Sequence, residues 1–348
     1  MYAQVFHGVG LPFERVAVPT VDLREGEVLV AIELATVCGS DLHTIAGARS
    51  APVPLVLGHE QVGRVVGLGP GEAARTVDGI GFTVGARVVW GVVVDCGECR
   101  YCVAGLPQKC TSRRKYGHER VADDWVLSGG FASHAHLLAR TPIVVVDEEV
   151  PAAVLAPASC ATTTVMAAIE AAAAVRSLEG ATVAISGCGM LGLTAIAVAA
   201  SRGATVIASD PEPARREAAL AFGATQTVDG SRVAWRDAPA YQIALELSGA
   251  PAAVSGLLDV ADTGAVLVLV GSVFPVGAID LDPEQVVRRM LTLRGVHNYA
   301  PRQLLEAVDF LREADHAAFA ALVEPTVPLD AIADALHSRA PRAALSPL

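Results

Sequence analysis

Four cysteines that lie close together constrain this chain more than any other feature. Cys96, Cys99 and Cys102 recur at every third residue, and Cys110 follows them after a short gap. Four thiolates at this spacing can surround one ion tetrahedrally, and four-cysteine sites of this kind usually hold structural zinc. Because such a shell leaves no open position, we expect the ion to brace a loop and to take no part in chemistry.

The composition predicts a folded protein of two domains. The chain has 348 residues, of which 52% are hydrophobic and 18% are charged. The net charge of -11 provides no basic field for nucleic acid. The first ten residues, MYAQVFHGVG, lack the features of a signal peptide, and the apolar stretches are interrupted by glycines. We therefore expect a cytoplasmic protein without nucleic-acid or membrane partners, whose cysteines are reduced or bind metal.

The character of the sequence changes near residue 155. Before this point, short β-like runs such as EVLVAIEL and QVGRVVGLG alternate with Gly and Pro, which is typical of a mostly antiparallel β domain. Afterwards, six apolar runs between residues 182 and 296 alternate with helical patterns, which predicts a doubly wound parallel sheet. We expect an α/β protein with a catalytic domain in residues 1–160, a nucleotide-binding domain in residues 161–296, and a return to the first domain in residues 297–348.

A glycine-rich motif opens the second domain. Its residues are Gly187, Cys188, Gly189, Met190, Leu191 and Gly192, which form a G-x-G-x-x-G after the strand TVAIS and before a helical pattern. In this context the glycines allow a tight turn, a close approach to a pyrophosphate and close packing of helix on strand. The alternative is a glycine-rich turn without a ligand. We predict that this loop binds a dinucleotide at the N-terminus of the helix.

The identity of the dinucleotide is predicted from the next strand. This strand ends at Asp210, whose carboxylate can accept hydrogen bonds from a ribose 2′-OH and would repel a 2′-phosphate. Arg215 and Arg216 follow within one turn of the next helix and could instead favour a phosphate. We expect NAD, with Arg215 near the adenosine, and we expect Gly271 and Val273 to make further cofactor contacts.

Three residues in separate segments predict a second, open metal site. Cys38 follows an apolar strand, His59 lies in the segment GHEQVG, and Cys160 lies in PASCATTT. One histidine and two cysteines form the ligand set of a catalytic zinc whose fourth position is left for water or substrate. Such an ion lowers the pKa of a bound hydroxyl group. The alternative for each cysteine alone is a small buried hydrophobic residue.

Taken together, these motifs resemble the medium-chain, zinc-dependent alcohol dehydrogenase family. The resemblance rests on CGSDLH from Cys38, on GHE ending at Glu60, on the four-cysteine segment, on Cys160, on the glycine loop and on Asp210. It implies a GroES-like β domain, a Rossmann domain, two zinc ions per chain and NAD. It also implies that Cys38, His59 and Cys160 bind the catalytic zinc, that Glu60 can exchange onto the metal, and that Asp41 orients the histidine.

The same resemblance implies roles for three further residues. Ser40 matches a hydroxyl that accepts the substrate proton, and His43 matches the outer end of a proton relay. Simple turn chemistry is the alternative for Ser40, and an exposed loop position is the alternative for His43. Arg342 falls where the family often places a cation near the cofactor pyrophosphate. The resemblance also implies a homodimer or a homotetramer.

The substrate is predicted from a basic run and from a resemblance to one subgroup. Arg113, Arg114, Lys115 and His118 follow Cys110, in a region that lies near the substrate in this family, and Asn298 is a further candidate. Several strings resemble alcohol dehydrogenases that are associated with phosphonate metabolism. A hydroxyalkyl phosphonate that binds to the cations is therefore the first hypothesis. The alternative is a solvated basic turn.

The leading prediction is a zinc- and NAD-dependent alcohol dehydrogenase that acts reversibly on a small alcohol or carbonyl compound. Polyol and threonine dehydrogenases are an alternative, although their third zinc ligand is usually a carboxylate and Cys160 stands at that place here. A zinc-free reductase of the same fold and a non-catalytic thiol redox sensor are alternatives of other classes. The zinc-ligand cysteines argue against the first, and the relay residues argue against the second.

Overall fold

The computed structural model describes residues 1–71, 74–338 and 340–347. The chain divides into two units, which are Met1–Thr163 together with Tyr299–Leu348, and Thr164–Asn298. No single helix in the described residues is long and apolar enough to cross a membrane; one bent pair, Ala152–Ser159 with Ala161–Ala173, meets the length and composition test.

The strands vary widely in length, and those of the first unit range from two residues to the ten of Val28–Val37. In chain order they are β1 (Tyr2–Phe6), β2 (Glu14–Ala17), β3 (Val28–Val37), β4 (Leu55–Val56), β5 (Glu60–Leu68), β6 (Arg87–Trp90), β7 (Val93–Val94), β8 (Arg114–Lys115), β9 (His134–Leu137), β10 (Ile143–Val145), β11 (Thr182–Ser186), β12 (Thr205–Ser209), β13 (Gln226–Val228), β14 (Tyr241–Glu246), β15 (Ala261–Leu269), β16 (Thr292–Gly295), β17 (Val327–Pro328) and β18 (Ala343–Ser346).

The helices are concentrated after residue 150. They are α1 (Gly39–Ile45), α2 (Arg100–Val103), α3 (Ala152–Leu155), α4 (Ala161–Ala173), α5 (Met190–Ser201), α6 (Pro213–Ala221), α7 (Arg232–Arg236), α8 (Pro251–Val260), α9 (Pro283–Arg288), α10 (Pro301–Glu313), α11 (His316–Ala320) and α12 (Ile332–Ala335). Short 3-10 helices cover Pro107–Lys109, Ala156–Ser159 and Leu329–Ala331.

The first unit is built around β3, which is the longest strand of its main sheet. In the described residues this sheet has the order β10-β6-β5-β3-β18-β17, and β9 also pairs with β3. Its pairs are antiparallel apart from β17 with β18. Apolar side chains from both faces join a core that includes Trp90, Trp125 and Tyr116. The carboxyl end of β3 therefore lies against the first residues of both β5 and β18.

The second unit contains a parallel sheet with the order β13-β12-β11-β14-β15-β16 across the residues that the structure describes. This is the strand order of a doubly wound dinucleotide-binding domain, with the switch point between β11 and β14. Val183, Ala184 and Ile185 of β11 are fully buried, because helices cover a parallel sheet on its two faces. The predicted α/β class, with a GroES-like β domain and a Rossmann domain, is confirmed.

Candidate active site and metal centres

The register of the main sheet explains how distant residues meet at one point. Thr36 of β3 is paired with Glu60 of β5, and Val37 is paired with Ala343 of β18. The chain leaves β3 at Cys38, enters β5 directly after His59, and enters β18 directly after Arg342. These side chains therefore come together at one end of the sheet. The 3-10 helix Ala156–Ser159 adds the next residue, Cys160.

Cys38, His59 and Cys160 form one cluster. Their ligand atoms all lie within 4.8 Å of one another, and the two sulfur atoms are 4.0 Å apart. The site is buried, because Cys38 and His59 are respectively 7% and 2% exposed. The Oγ atom of Ser159 donates a hydrogen bond of 3.0 Å to the carbonyl oxygen of His59, which ties the third segment to the second. The structure thus joins the three residues that were predicted to share an ion.

The charges of this cluster fit a bound cation. The Cys160 thiol donates to Cys38 and, with Arg342 and His59, outweighs burial to hold the pKa of Cys38 well below its ordinary value. Burial opposes protonation of His59, but the charges of Asp41 and Cys38 raise its pKa to about 10. A thiolate at Cys38 and the carboxylate of Asp41 supply the negative charge that a bound cation needs, and the same charge raises the pKa of His59. Two sulfur atoms and one imidazole nitrogen are also a suitable donor set for zinc.

Asp41 organises the cluster from the first turn of α1. One carboxylate oxygen, Oδ2, accepts the backbone N–H of Cys38 at 3.0 Å, while Oδ1 lies 3.4 Å from Nδ1 of His59. Oδ1 also accepts the backbone N–H of Gly58 at 3.4 Å. The side chain is 1% exposed. These contacts direct the other imidazole nitrogen of His59, Nε2, toward the sulfur atoms, in the manner of a carboxylate that orients a metal ligand.

Arg342 is placed behind the thiolates and is bound to Glu60. Nε and Nη2 of Arg342 donate to the two oxygens of the Glu60 carboxylate at 2.5 and 2.7 Å, and Nη2 lies 3.8 Å from Sγ of Cys38. Thr36 Oγ1 donates a further hydrogen bond of 2.8 Å to Glu60. The sequence placed Arg342 near the cofactor pyrophosphate. That placement stays a prediction; in the structure the guanidinium is buried and forms a bidentate ion pair with Glu60.

Ser40 lies at the cluster and His43 lies one turn further along α1. Oγ of Ser40 is 3.3 Å from Nε2 of His59, the nitrogen that faces the two thiols. Residues three apart share a helix face, so Ser40 and His43 lie on the same side of α1. Both side chains are half-buried. The hydroxyl is therefore within reach of any group that shares the metal, and His43 is the next titratable side chain along that face.

The four cysteines of the second cluster surround one point. Their sulfur atoms lie within 4.8 Å of one another. The backbone N–H groups of Cys99 and Ser112 donate to the sulfur atoms of Cys96 and Cys110 at 3.4 and 3.3 Å. Backbone N–H groups, first that of Cys102, lower the pKa of Cys99 to about 5, whereas burial and the other thiols raise that of Cys102 to about 12. Four sulfurs this close cannot all ionise without a cation, and tetrahedral zinc meets that need.

The basic run after Cys110 separates into residues with different contacts. Arg113 is exposed and donates to the carbonyl oxygen of Cys110 at 3.0 Å. Arg114 pairs with Glu119 at 2.6 Å and lies 4.4 Å from the ring centre of Trp125. Both arginines therefore have structural partners, which weakens the expectation that they receive a substrate. Lys115 is half-buried, and its ammonium group has no hydrogen bond or ion pair to the residues that the structure describes.

His118 lies against the metal cluster and binds a residue that was not identified from the sequence. Its ring centre is 4.7 Å from that of His59. Its Nδ1 lies 2.7 Å from the carbonyl oxygen of Tyr116, and its Nε2 lies 3.1 Å from Nη1 of Arg49. Burial, followed by the charges of Lys115, His59 and Arg49, holds the pKa of His118 well below its ordinary value. Nothing in the sequence around Arg49 indicated this contact.

The glycine loop has the geometry that its sequence predicts. Gly187 adopts φ +94°, a left-handed conformation that a side chain would strain. A Cβ atom on Gly192 would lie 1.7 Å from the carbonyl oxygen of Gly187, so helix and strand could not pack as they do. A Cβ atom on Gly189 would meet nothing within 4 Å, which leaves room for a ligand. The loop leads into α5, which begins at Met190 and continues with Leu191.

Asp210 follows β12 and is bound to the glycine loop. Its carboxylate accepts the backbone N–H groups of Cys188 at 2.9 Å and Glu212 at 3.0 Å. Nη1 of Arg215 approaches it at 3.8 Å, and Arg216 donates to its carbonyl oxygen at 2.7 Å. The side chain is 4% exposed. The structure thus brings Asp210 and Arg215 together beside the loop, as expected of residues near an adenosine ribose.

Gly271 and Val273 lie where β14 and β15 end. The backbone N–H of Gly271 donates to the carbonyl oxygen of Glu246 at 3.0 Å, and that of Val273 donates to the carbonyl oxygen of Gly271 at 2.9 Å. The fully buried carboxylate of Glu246, which the sequence did not single out, accepts the N–H groups of Ser248 and Gly249 at 2.8 Å. These contacts order the carboxyl ends of the strands, where dinucleotides bind in this fold. The other candidate, Asn298, is half-buried with φ +54° at the end of the second unit.

Comparison with known proteins decides the family. Residues 24–147 match the alcohol dehydrogenase GroES-like domain, and residues 191–313 match the zinc-binding dehydrogenase domain. An L-threonine 3-dehydrogenase of Burkholderia mallei is 31% identical over 311 residues, which are 85% of this chain and 82% of the relative. The chain belongs to the zinc-dependent medium-chain alcohol dehydrogenase family. This dehydrogenase is a zinc-containing enzyme whose cofactors are zinc and a nicotinamide dinucleotide.

Two further proteins resemble this chain over a similar share of its length. An L-threonine 3-dehydrogenase of Burkholderia pseudomallei shares the same identity and coverage. The crystal structure of an alcohol dehydrogenase from Thermotoga maritima is 29% identical, covers 100% of this chain and 99% of its own, and has a TM-score of 0.90. The likeness therefore extends over both units of this dehydrogenase.

Proposed function

We propose that the protein oxidises the hydroxyl group of a small anionic alcohol with NAD, and that it also catalyses the reverse reduction. The observation that carries this proposal is the buried cluster of Cys38, His59 and Cys160 with Ser40 at its side. We assign proton chemistry and substrate binding to the first unit, and NAD binding to the second.

The cluster supplies three protein ligands to one ion. A zinc ion held by Cys38, His59 and Cys160 would act as a Lewis acid and lower the pKa of the substrate hydroxyl. Asp41 keeps Nδ1 of His59 occupied, so that Nε2 faces the sulfur atoms. The Glu60–Arg342 pair lies behind Cys38 and holds its thiolate in place through the contact from Nη2. Glu60, bound by Arg342 and Thr36, is a supporting residue in this arrangement.

Ser40 accepts the proton that the substrate hydroxyl loses, and His43 passes it toward solvent. Ser40→Ala is expected to reduce the rate of NAD reduction by about 10²- to 10⁴-fold, which is the usual contribution of positioned acid–base groups. The bound zinc should not change, because Ser40 is not a ligand. The measurement is steady-state kinetics with metal analysis of the same sample. Undiminished hydride transfer in this variant would contradict the relay.

NAD is the proposed dinucleotide, because a phosphate on the ribose 2′-oxygen would face the buried carboxylate of Asp210. Asp210→Asn is expected to raise KM for NAD and to lower the preference for NAD over NADP by about tenfold or more, since it removes one negative charge. Glu217→Gln, an exposed change of the same kind on α6, is the matched control. The kinetic constants with both cofactors decide, and a wild-type enzyme that uses NADP alone would overturn the assignment.

The substrate class rests on charge. Hydroxyalkyl phosphonates and L-threonine, the substrate named for the curated relatives, are both alcohols that carry an anionic group. Apart from Arg342, which pairs with Glu60, Lys115 and Arg49 are cations near the proposed metal ligands, and the charges of both act on His118. A hydroxyalkyl phosphonate is the first specific candidate, and a threonine-like substrate is the second. Neutral alcohols and polyols lack the charge that these cations would bind.

Nicotinamide absorbance with zinc-loaded protein and NAD tests the proposal. The matched substrates are 2-hydroxyethylphosphonate, 3-hydroxypropionate and 1-propanol, which share one chain length, together with L-threonine. A preference for any of the anionic alcohols over 1-propanol supports the proposed class, and their order identifies the anionic group. A preference for 1-propanol contradicts it, and the absence of NAD reduction with all four compounds and with a wider alcohol panel would contradict the proposed activity.

We also propose a cytoplasmic homodimer or homotetramer. The second unit exposes several apolar side chains, with 75% of Val287, 68% of Met290 and 47% of Val273 accessible. Its edge strand β16 has one partner strand in the described sheet. An apolar surface beside a free strand edge favours pairing with another copy. Light scattering coupled to gel filtration measures the mass, and a monomer at micromolar concentration would contradict this assembly.

A further inference from the structure

Arg49 is a cation that α1 and His118 hold in place. Its backbone N–H donates to the carbonyl oxygen of His43 at 3.1 Å, directly after the helix that carries Ser40. Its Nη1 lies 3.1 Å from Nε2 of His118. Within the described ranges, its remaining guanidinium N–H groups make no hydrogen bond or ion pair. An arginine that is anchored at one nitrogen presents the rest of its planar fork for a bidentate ligand.

The protonation of His118 follows from its two neighbours. The carbonyl oxygen of Tyr116 can only accept a hydrogen bond, so Nδ1 of His118 carries the hydrogen in the 2.7 Å contact. The guanidinium of Arg49 can only donate, so Nε2 is the acceptor. Both ring nitrogens are therefore in use. His118, which the sequence offered as a substrate contact, has no nitrogen left for a substrate anion, and it instead positions Arg49.

Lys115 is a second cation beside His118, whose backbone N–H donates to the carbonyl oxygen of Lys115 at 3.3 Å. Burial, followed by the charge of Arg49, lowers the pKa of Lys115 to about 8, against the opposing effect of the thiols of Cys160 and Cys38. The two cations therefore act on each other and on the proposed metal ligands. Neither cationic group has an acidic side chain as a partner within the described residues, although the backbone N–H of Lys115 donates to Oε1 of Glu119 at 2.5 Å. Arg114, in contrast, is neutralised by Glu119. Two positive charges that are partly withdrawn from water call for an anion.

We propose that Arg49 and Lys115 bind the anionic group of the substrate while its hydroxyl carbon lies at the Cys38–His59–Cys160 cluster. This inference rests on the proposed function and adds its specificity determinants. Arg49 would take two oxygens of a phosphonate or carboxylate in a bidentate contact, and Lys115 would act as a point charge. It also explains why the other members of the basic run, which have their own partners, are not needed for recognition.

The test compares charge-removing variants with a matched control. Arg49→Gln and Lys115→Gln each remove one cation. The control, Arg24→Gln, makes the same change at an exposed arginine whose guanidinium forms no hydrogen bond or ion pair with the described residues. KM is measured for 2-hydroxyethylphosphonate, 3-hydroxypropionate and 1-propanol. Calorimetry measures the binding of ethylphosphonate and propionate, which cannot be oxidised because they have no hydroxyl group.

Arg49→Gln and Lys115→Gln are each expected to raise KM for the preferred anionic alcohol, and Kd for the anion, by about 10- to 100-fold. KM for 1-propanol should stay within about twofold, and Arg24→Gln should match the wild type. Arg49→Lys keeps the positive charge but loses the planar guanidinium that allows a bidentate contact. Its KM for the anionic alcohol should therefore lie between those of the wild type and Arg49→Gln. His118→Leu removes the acceptor that positions Arg49, so it should raise KM for the anionic alcohol more than KM for 1-propanol, a difference that a general loss of folding would not give.

Equal effects on anionic and neutral alcohols, or anion binding that is unchanged in both Gln variants, would overturn the inference. Comparison of the phosphonate and carboxylate compounds shows which anion Arg49 and Lys115 prefer. The calorimetry is independent of turnover. A protein that binds ethylphosphonate through Arg49 but oxidises no alcohol would therefore contradict the proposed activity and support the anion site. An enzyme that oxidises alcohols but binds anions equally well without Arg49 and Lys115 would support the proposed activity and contradict the anion site.

Discussion

Cys160→Ala is expected to lower the rate of NAD reduction by about 10³-fold or more and to reduce bound zinc from two ions per chain to one. Cys160 is one of three clustered residues whose ligand atoms lie within 4.8 Å of one another. Its loss leaves Cys38 and His59, and two protein ligands hold zinc poorly. The Lewis acid contributes several kcal/mol, and each 1.36 kcal/mol corresponds to a tenfold change in rate. Zinc analysis and nicotinamide absorbance on the same preparation measure both effects.

The control for this variant is Cys188→Ala. Cys188 is buried in the glycine loop, where its thiol donates to the carbonyl oxygen of Ser209, and it belongs to neither cysteine cluster of the described residues. It should keep two zinc ions per chain. Cys99→Ala provides the reciprocal case, because it should lose the ion of the four-cysteine cluster. If Cys160→Ala retained two zinc ions and full activity, the catalytic site would have to lie elsewhere.

At a pH where Glu60 is ionised, Arg342→Met is expected to lower the free energy of unfolding by about 3–5 kcal/mol, because it leaves Glu60 as an unpaired buried charge. Glu60 is fully buried, and Arg342 donates to its two oxygens at 2.5 and 2.7 Å. The double variant Arg342→Met with Glu60→Gln should recover much of the loss, since no charge then remains unpaired. Urea unfolding of the wild type, both single variants and the double variant gives the coupling between the two residues.

The effect of Arg342→Met should depend on pH. Burial raises the pKa of Glu60 to about 7 even though Arg342 opposes this, and removal of Arg342 raises it further. A carboxyl group with a raised pKa keeps its proton in the folded state after the unfolded state has lost it, so stability falls as pH rises. Wild type and variant lose this stability alike up to about pH 7, where Glu60 of the wild type ionises. The destabilisation by Arg342→Met should therefore grow as the pH rises above about 7. A pH-independent loss, or no recovery in the double variant, would show that the pair does not act through its charges.

The sequence was most informative where the chemistry is local. The four cysteines lie in one short loop, and the glycines of the dinucleotide motif act within one strand, turn and helix. Gly187 adopts φ +94°, and Gly192 packs against the carbonyl oxygen of Gly187, as their order in the motif implies. Asp41 contacts the backbone of Cys38, only three residues away. Such contacts depend on backbone geometry over a few residues, and the residue types are sufficient to predict them.

Assignments of single charged residues were less secure, because each depends on a partner from another segment. The basic run predicted three cations for a substrate. In the structure Arg114 pairs with Glu119 and Arg113 donates to the carbonyl oxygen of Cys110, whereas the ammonium group of Lys115 has no hydrogen bond or ion pair to the described residues. Charge alone does not tell which cations are neutralised. That outcome depends on how a loop turns, since Glu119 reaches back to Arg114 from five residues further on.

The amino-acid sequence determined the four-cysteine cluster, the dinucleotide loop and the α/β fold, because each follows from spacing or from a period of apolar residues. The set of Cys38, His59 and Cys160 was predicted from residue types in three segments and from the resemblance to a family. The tertiary structure alone decided that Arg342 pairs with Glu60, which is 282 residues away, and that Arg49 meets His118, which is 69 residues away. Arg342 reaches Glu60 because β18 and β5 both pair with β3 and begin at the same end of the sheet. A register between distant strands is set by the packing of the whole unit, and it leaves no mark in the residues around either partner.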